Sequence, residues 1–259
     1  MTAELSDRHV DHAAVHATPK LVAVRDRLLV ALAFSAGIYD AICFLSFGKV
    51  FTGFQTGNVV FLGLGLAGVR PPAGPNPVSV IVSLAAFMAG AAVAMWLLRR
   101  FDGDEEVEDE NVFTVWPTGV SRTLVAVLFA QVGFLVVWMA TSPSPAVTYA
   151  LLGLNAFGMG LQMNAIRALH VPAVSTTAAS ATLISLTSGL ASWSLKGHVA
   201  RRLAGVLVSM VAGALAGAWL VGHAHFYAPV LPVLVIAGVI VIASAALKKT
   251  QRQADSQEW

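Results

Sequence analysis

Eight apolar segments joined by short polar connections limit the folds open to this chain. They cover residues 28–47, 54–69, 78–98, 122–140, 146–166, 173–193, 203–222 and 229–247. A membrane-crossing helix needs about 20 mostly apolar residues, and six of the eight segments meet that requirement without strain. Hydrophobic residues make up 57% of the chain and charged residues 12%, whereas soluble domains carry about 25% charged residues. The sequence therefore predicts an all-α polytopic membrane protein.

The second and sixth segments differ from the other six in their small and hydroxylated residues. The second carries Gly57, Gly63, Gly65 and Gly68, and the sixth carries Ser175, Thr176, Thr177, Ser180, Thr182, Ser185, Thr187 and Ser188. This composition is poor for a lipid-facing helix and suits a segment that is buried in protein or lines a polar cavity. We expect re-entrant elements at about 50–69 and 171–194.

The two halves of the sequence have the same layout. A shift of 124 residues places Asp40 on Asn164 and Thr56 on Ser180, and one residue of slippage then aligns Gly90 and Trp96 with Gly213 and Trp219. Identities among Ala, Leu and Gly are frequent in membrane segments, so the shared order of segments and the shared position of the polar break carry more weight. We expect two repeats, at 28–140 and 146–247.

Positive charges predict how these repeats are oriented. If all eight segments crossed, the extracytoplasmic side would receive Lys49, Arg99, Arg100, Arg122 and Arg167. If the second and sixth segments return to the side they entered, only Lys49 and Arg70 remain there. The positive-inside rule therefore favours six transmembrane helices plus two re-entrant half-helices, with inverted repeats and both termini in the cytoplasm. Transporters recurrently use such a plan.

The polar parts of the chain complete the predicted layout. Residues 1–27 are expected to form a disordered cytoplasmic tail without a signal peptide, and 248–259 a second cytoplasmic tail. The stretch 101–121 contains the acidic run Asp102–Glu110 and is predicted to be a solvated cytoplasmic loop.

Each re-entrant element is predicted to enter as extended chain and return as a short helix. Thr56 or Asn58, on either side of Gly57, is expected to be the N-cap of the first helix, and Thr177 or Ser180 that of the second. Inverted symmetry points both helix N-termini at the bilayer centre, where bare amides favour an anion or a carbonyl dipole. Alternatively, these small residues only let backbones pack closely.

Asp40 is the only carboxylate in the apolar segments, and it is predicted to lie near mid-depth. An aspartate there costs roughly 2.5–3.5 kcal/mol, so a lipid-facing, idle Asp40 is not expected. Three roles fit it: a proton-coupling group, a cation ligand, or a cap for half-helix amides. Asn164 and Gln162 are expected to line the same cavity, and Gln131 to form an interhelical hydrogen bond.

Two patterns resemble a known family. Gly37-x-x-Asp40-Ala41 followed by Thr56-Gly57-Asn58, and Gly160-Leu161-Gln162 followed by Ala165-x-Arg167, are similar to the YoaK-type bacterial membrane proteins of unknown function. The resemblance covers roughly residues 28–247, departs at Ser180-Ala181-Thr182, where Thr-Gly-Thr is common, and implies a location in the bacterial inner membrane. It supports the architecture more than any activity.

The leading hypothesis is a secondary transporter or permease for a small polar or anionic solute, with no cofactor and no metal. Its predicted site residues are Asp40, Thr56, Gly57, Asn58, Gln162, Asn164, Thr177 and Ser180. Alternatives are a passive channel with paired re-entrant helices, or a non-transporting scaffold or sensor whose acidic loop binds a partner. The spans contain no nucleophile–base pair or metal set, so an enzyme is not expected. Gly213 and Gly217 are predicted to pack helices within one protomer or between two in a homodimer.

Overall fold

A computed structural model describes residues 19–69, 74–102, 116–171, 179–191 and 197–255. All regular elements of these residues are helical. They are α1 (Pro19–Ser46), α2 (Gln55–Leu66), α3 (Pro77–Asp102), α4 (Thr118–Ala140), α5 (Pro145–Arg167), α6 (Ala179–Ala191), α7 (Gly197–His223), a 3-10 turn (His225–Tyr227) and α8 (Val230–Asp255). Two helices extend beyond the predicted membrane repeats. The helix α1 begins at Pro19, inside the predicted N-terminal tail, and α8 continues to Asp255, beyond the predicted end at 247.

Five helical stretches of the described chain are long and apolar enough to cross a membrane. They are Leu21–Ser46, Pro77–Phe101, Thr118–Ala140, Val199–His223 and His225–Ala246. The 23-residue α5 is as long as α4, but it carries three amide side chains and is buried along most of its length. The helices α2 and α6 have 12 and 13 residues. At 1.5 Å per residue they measure about 18–20 Å, short of the hydrocarbon thickness of about 30 Å.

The helices α1 and α7 cross in backbone contact, and glycine makes this possible. The position where Gly37 would carry a Cβ atom is filled by the carbonyl oxygen of Met210, and that of Gly213 by the carbonyl oxygen of Phe34. A third glycine, Gly217, faces the backbone of α1 in the same way. The predicted small-residue face of α7 therefore packs within one chain, against α1, and is not available to a second copy.

The crossing of α3 with α5 repeats this geometry. Gly160 lies against the carbonyl oxygen of Phe87, and Gly90 against that of Phe157. An offset of 123 residues relates the two crossings. Gly37 and Phe34 of α1 correspond to Gly160 and Phe157 of α5, and Gly90 and Phe87 of α3 correspond to Gly213 and Met210 of α7. We call this relation the 123-residue exchange. Two further pairs of contacts follow the same relation, since α2 packs on α3 as α6 packs on α7, and α4 on α5 as α8 on α1. The contact between α3 and α4 has no comparable counterpart between the described residues of α7 and α8.

This exchange corrects the equivalence predicted from the sequence. Equivalent positions of the long helices differ by 123 residues, so the counterpart of Asp40 is Met163, and the counterpart of Asn164 is Ala41. The sequence shift of 124 was therefore one residue too long for α1 and α5.

The close crossing predicts a large difference between two glycines of α7. Gly213→Ala should destabilise the protein by about 1–3 kcal/mol, because the added methyl group has to displace the backbone of α1. Gly222→Ala is the matched control, since no atom outside its own chain neighbourhood lies within 4 Å of the added Cβ. Melting of detergent-purified protein, followed by tryptophan fluorescence, measures both. Equal melting temperatures of the two variants would contradict the close contact.

Candidate functional site

Residues 50–54 are a non-helical stretch between α1 and α2. The chain leaves α1 through a turn in which Gly48 and Lys49 both have positive φ, at 78° and 65°. Thr52 and Gly53 are buried. Within a membrane, non-helical backbone is tolerated only where its N–H and C=O groups find partners in protein or line a water-filled cavity. The backbone N–H and C=O groups of this stretch therefore need hydrogen-bond partners within the protein.

Asp40 satisfies two of these backbone groups directly. Its Oδ1 atom accepts hydrogen bonds from the amides of Thr52 and Gly53, both at 2.8 Å, and from Thr52 Oγ1 at 3.2 Å. Asp40 is itself only 4% exposed and lies six residues before the end of α1. Carboxylate acceptors make the stronger class of hydrogen bond. The lone carboxylate of the apolar segments thus holds the chain just before the N-terminus of α2.

Asn58 satisfies both backbone groups of Phe51. Its Oδ1 atom accepts from Phe51 N at 3.2 Å, and its Nδ2 atom donates to Phe51 O at 2.6 Å. The same Nδ2 atom donates to Gln55 Oε1 at 2.8 Å. An amide is suited to this task because it carries an acceptor and a donor side by side.

Gln55 and Ser83 complete the network and attach it to α3. Ser83 Oγ donates to Phe51 O at 2.7 Å, and Gln55 Nε2 donates to Thr52 O at 2.7 Å. Gln55 Nε2 also lies 3.2 Å from Ser83 Oγ, and the backbone amide of Gln55 donates to Gly53 O at 3.0 Å. Every backbone N–H and C=O of residues 51–53 therefore has a partner within the protein.

The predicted N-caps of α2 are wrong. The helix begins at Gln55 with Phe54 as its N-cap, and no side chain caps it. Thr56 and Asn58 lie one to three residues inside the helix, where Thr56 is exposed and Asn58 reaches back to Phe51. Gly57 lies against the Phe51 ring, which is 3.3 Å from the place of a Cβ atom. The sequence pattern identified the right segment but placed the helix start too late.

In the second half, the two predicted amides contact facing backbones rather than Asp40. Asn164 Nδ2 donates to Ala91 O of α3 at 2.6 Å, and Gln162 Nε2 donates to Leu32 O of α1 at 3.3 Å. Thr177 and the side chain of Ser180 lie outside the described residues. Because α6 already includes Ala179, Ser180 lies within the helix and is not its N-cap.

Several buried polar atoms have no hydrogen-bond partner among the described residues. They are Asp40 Oδ2, Ser35 Oγ, Ser46 Oγ, Tyr39 Oη, both amide atoms of Gln131 and of Asn155, and Gln162 Oε1. The interhelical hydrogen bond predicted for Gln131 is absent from the described part of the structure. Asn155 was not singled out from the sequence, although its spacing of seven residues from Gln162 places both on one helix face.

The described residues contain no group of three or more His, Cys, Asp or Glu side chains that could hold a metal ion. His9, Asp11, His12 and His16 lie outside the described residues. Cys43 is a buried free thiol within α1.

Comparison with known proteins agrees with this architecture. The family model described as "Protein of unknown function (DUF1275)" matches residues 28–242. The chain belongs to this family. It is also 29% identical, over 164 residues, to the UPF0700 transmembrane protein YoaK of Bacillus subtilis (strain 168). That match covers 63% of this chain and 66% of the relative, just under two thirds of its length. No solved structure matches the chain.

The hydrogen bonds of Asn58 can be tested by an isosteric change. Asn58→Leu leaves the buried amide of Phe51 without a partner, so we expect a loss of about 1–3 kcal/mol of unfolding free energy. Thr56→Val, two residues away on the exposed side of α2, should change the stability by less than about 0.5 kcal/mol. Thermal melting in detergent compares the two. Similar melting temperatures for both variants would show that Asn58 does not hold the segment.

Proposed function

We propose that this protein is a secondary transporter for a small polar solute, built from two inverted repeats around α2 and α6. The observation that supports this most strongly is the pair of short helices. The helix α2 packs on α3, and α6 packs on α7, the equivalent long helix of the second half. In addition, α2 is preceded by buried non-helical backbone. Broken helices at equivalent positions of two halves are typical of transporter binding sites.

The inversion follows from the number of crossings. If α1, α3 and α4 cross while α2 returns to the side it entered, the first repeat makes an odd number of crossings. The second repeat then starts on the opposite side, and the 23-residue α5, at about 34 Å, is long enough to cross as the sixth span. Arg122 stacking on Phe101 at 4.0 Å places the end of α3 beside the start of α4, as this layout requires.

The charge distribution supports an orientation with both termini in the cytoplasm of a bacterial cell. Basic residues lie in the last turns of α3, at Arg99 and Arg100, and of α5, at Arg167. Lys49 is the basic residue of the turn between α1 and α2. The positive-inside rule then assigns the ends of α3 and α5 to the cytoplasm and Lys49 to the outside.

Asp40 narrows the class of solute. Its carboxylate already accepts from the amides of Thr52 and Gly53, so the protein's own anion occupies the position before α2 that was predicted to receive an anionic solute. A second anion at the same place would be repelled. We therefore favour an uncharged polar solute over an anionic one.

The same contacts suggest how a proton would be coupled to movement. A neutral carboxyl group is a weaker acceptor than a carboxylate. Protonation of Asp40 would weaken its bonds to Thr52 and Gly53 and loosen residues 50–54, and deprotonation would restore them. In this scheme Asp40 is both the cap of the segment and the switch that releases it.

Asp40→Asn separates these two roles. Asparagine retains an oxygen that can accept from Thr52 and Gly53, but it cannot change its charge. We expect solute-induced proton flux into pyranine-loaded proteoliposomes to fall by at least about tenfold, while downhill solute uptake continues. Asp26→Asn is the control, a carboxylate on the same helix that pairs with Arg25 at its cytoplasmic end. Unchanged proton flux in Asp40→Asn would remove Asp40 from coupling.

Cysteine accessibility tests the re-entrant path of α2. In a Cys43→Ala chain, we expect Lys49→Cys and Asn76→Cys both to react with a membrane-impermeant maleimide added to intact cells, because both positions flank α2 on the outside. Arg201→Cys, at the cytoplasmic start of α7, should be protected until the cells are opened. Protection of Asn76→Cys together with labelling of Lys49→Cys would mean that α2 crosses the membrane, and would reject the inverted repeat.

A further inference from the structure

Four fully buried side chains with unpartnered polar atoms come from three helices that meet in the protein interior. They are Tyr39 of α1, Gln131 of α4, and Asn155 and Gln162 of α5, each 0% exposed. Six of their atoms have no hydrogen-bond partner among the described residues: Tyr39 Oη, Gln131 Oε1 and Nε2, Asn155 Oδ1 and Nδ2, and Gln162 Oε1. We call these four residues the central polar cluster.

Contacts between helices bring Gln131 and Tyr39 towards Asn155. Gln131 Nε2 is 2.5 Å from the place where a Cβ atom on Gly158 would lie, and Gly158 is one helical turn beyond Asn155. On α4, Phe134 is one turn beyond Gln131, and its ring meets the ring of Tyr39 edge-on at 5.8 Å between centroids. The polar groups of α1, α4 and α5 therefore face a common region.

The 123-residue exchange leads to the same arrangement independently. It pairs Tyr39 with Gln162, and Leu32 with Asn155. Gln162 reaches the carbonyl of Leu32 across the contact between α1 and α5. By the same relation, Tyr39 would lie opposite Asn155. The relation therefore supports an arrangement with Leu32 and Gln162 at one end of the contact between α1 and α5 and with Tyr39 and Asn155 at the other, near Gln131 of α4.

This arrangement is unfavourable if it serves only stability. A buried polar atom without a partner loses its hydration and recovers nothing, whereas apolar side chains of the same shape would fill the space without that loss. Buried polar groups in membrane helices are for this reason associated with function. The free atoms of the cluster include both donors and acceptors. One hydroxyl group and two amide NH₂ groups can donate hydrogen bonds, and three amide oxygens can accept them.

We propose that the central polar cluster is the binding site for a small uncharged solute that both donates and accepts hydrogen bonds. An ion of either sign would find no countercharge among these four side chains, whereas a neutral amide-like or hydroxyl-bearing molecule would pair with their free atoms. The inference rests on the proposed transport function and names its substrate class. It also moves the solute contacts away from Asp40, which acts on the neighbouring segment 50–54.

Matched pairs of small molecules test the class of ligand. Acetamide and acetate have nearly the same shape, as do urea and guanidinium, and only the first member of each pair is uncharged. Saturation-transfer NMR on the detergent-purified full chain should detect binding of acetamide and urea, and binding of acetate and guanidinium at least roughly tenfold weaker. Equal signals within each pair, or no signal from acetamide and urea, would overturn the proposal.

Two substitutions of matched size test the residues. Asn155→Leu and Gln131→Met remove the free polar atoms and keep the volume, so each variant should melt at or above the wild-type temperature while binding of acetamide and urea falls roughly tenfold. Ser244→Ala on the exposed face of α8, whose hydroxyl bonds only within its own helix to Val241 O, should leave binding unchanged. Wild-type binding in both cluster variants would overturn the assignment.

Uptake into proteoliposomes distinguishes the two levels of the proposal. Uptake of acetamide or urea that persists in both cluster variants would leave the transporter standing and refute this site. Binding that is lost in both variants, with no uptake by the wild type above protein-free vesicles, would support the site and refute transport.

Discussion

The structure depends on one constraint, which is that a backbone inside a membrane has to satisfy its own hydrogen bonds. Residues 51–53 leave helical geometry at a point where Thr52 and Gly53 are buried, and side chains from three helices replace the missing helical bonds. Asp40 of α1 takes two amides, Asn58 of α2 takes both groups of Phe51, and Ser83 of α3 adds a donor. Because each of these bonds joins a different helix to the same short segment, the network also positions α1, α2 and α3 relative to one another.

Backbone contact between long helices gives the fold its second organising feature. Lipid tails are as apolar as leucine side chains, so helices in a membrane associate through close packing rather than through hydrophobic burial. The crossings α1–α7 and α3–α5 use glycines in this way, and they are related by the same 123 positions. Each crossing joins one half of the sequence to the other, so neither half completes its packing without its partner. The helices α1 and α5, one from each crossing, also contact each other, through the hydrogen bond from Gln162 to Leu32 O.

These two features divide the polar side chains into two groups with different physical roles. The network around Phe51 is closed, since every backbone group of residues 51–53 is paired, and it behaves as structure. The cluster of Tyr39, Gln131, Asn155 and Gln162 has free donors and acceptors in the described structure, and the proposed solute would offset the cost of burying them. Asp40 lies outside the four-residue cluster: its Oδ1 atom is committed to the network, and its Oδ2 atom has no partner among the described residues.

The sequence by itself determined the membrane class and the helical fold, and it singled out Asp40 and the break before α2, because hydrophobic segment length and the cost of a buried charge are local properties. It also indicated a correspondence between the two halves, although the register of α1 and α5 was one residue off. Only the tertiary structure decided which groups meet: that Asn58 bonds to Phe51 and does not cap a helix, that Asn164 bonds to α3, and that Asn155, Gln131 and Tyr39 are buried together with unpaired polar atoms. Those outcomes depend on the crossings of helices far apart in sequence, where a glycine contact fixes the register to a single residue, and no local pattern carries that information.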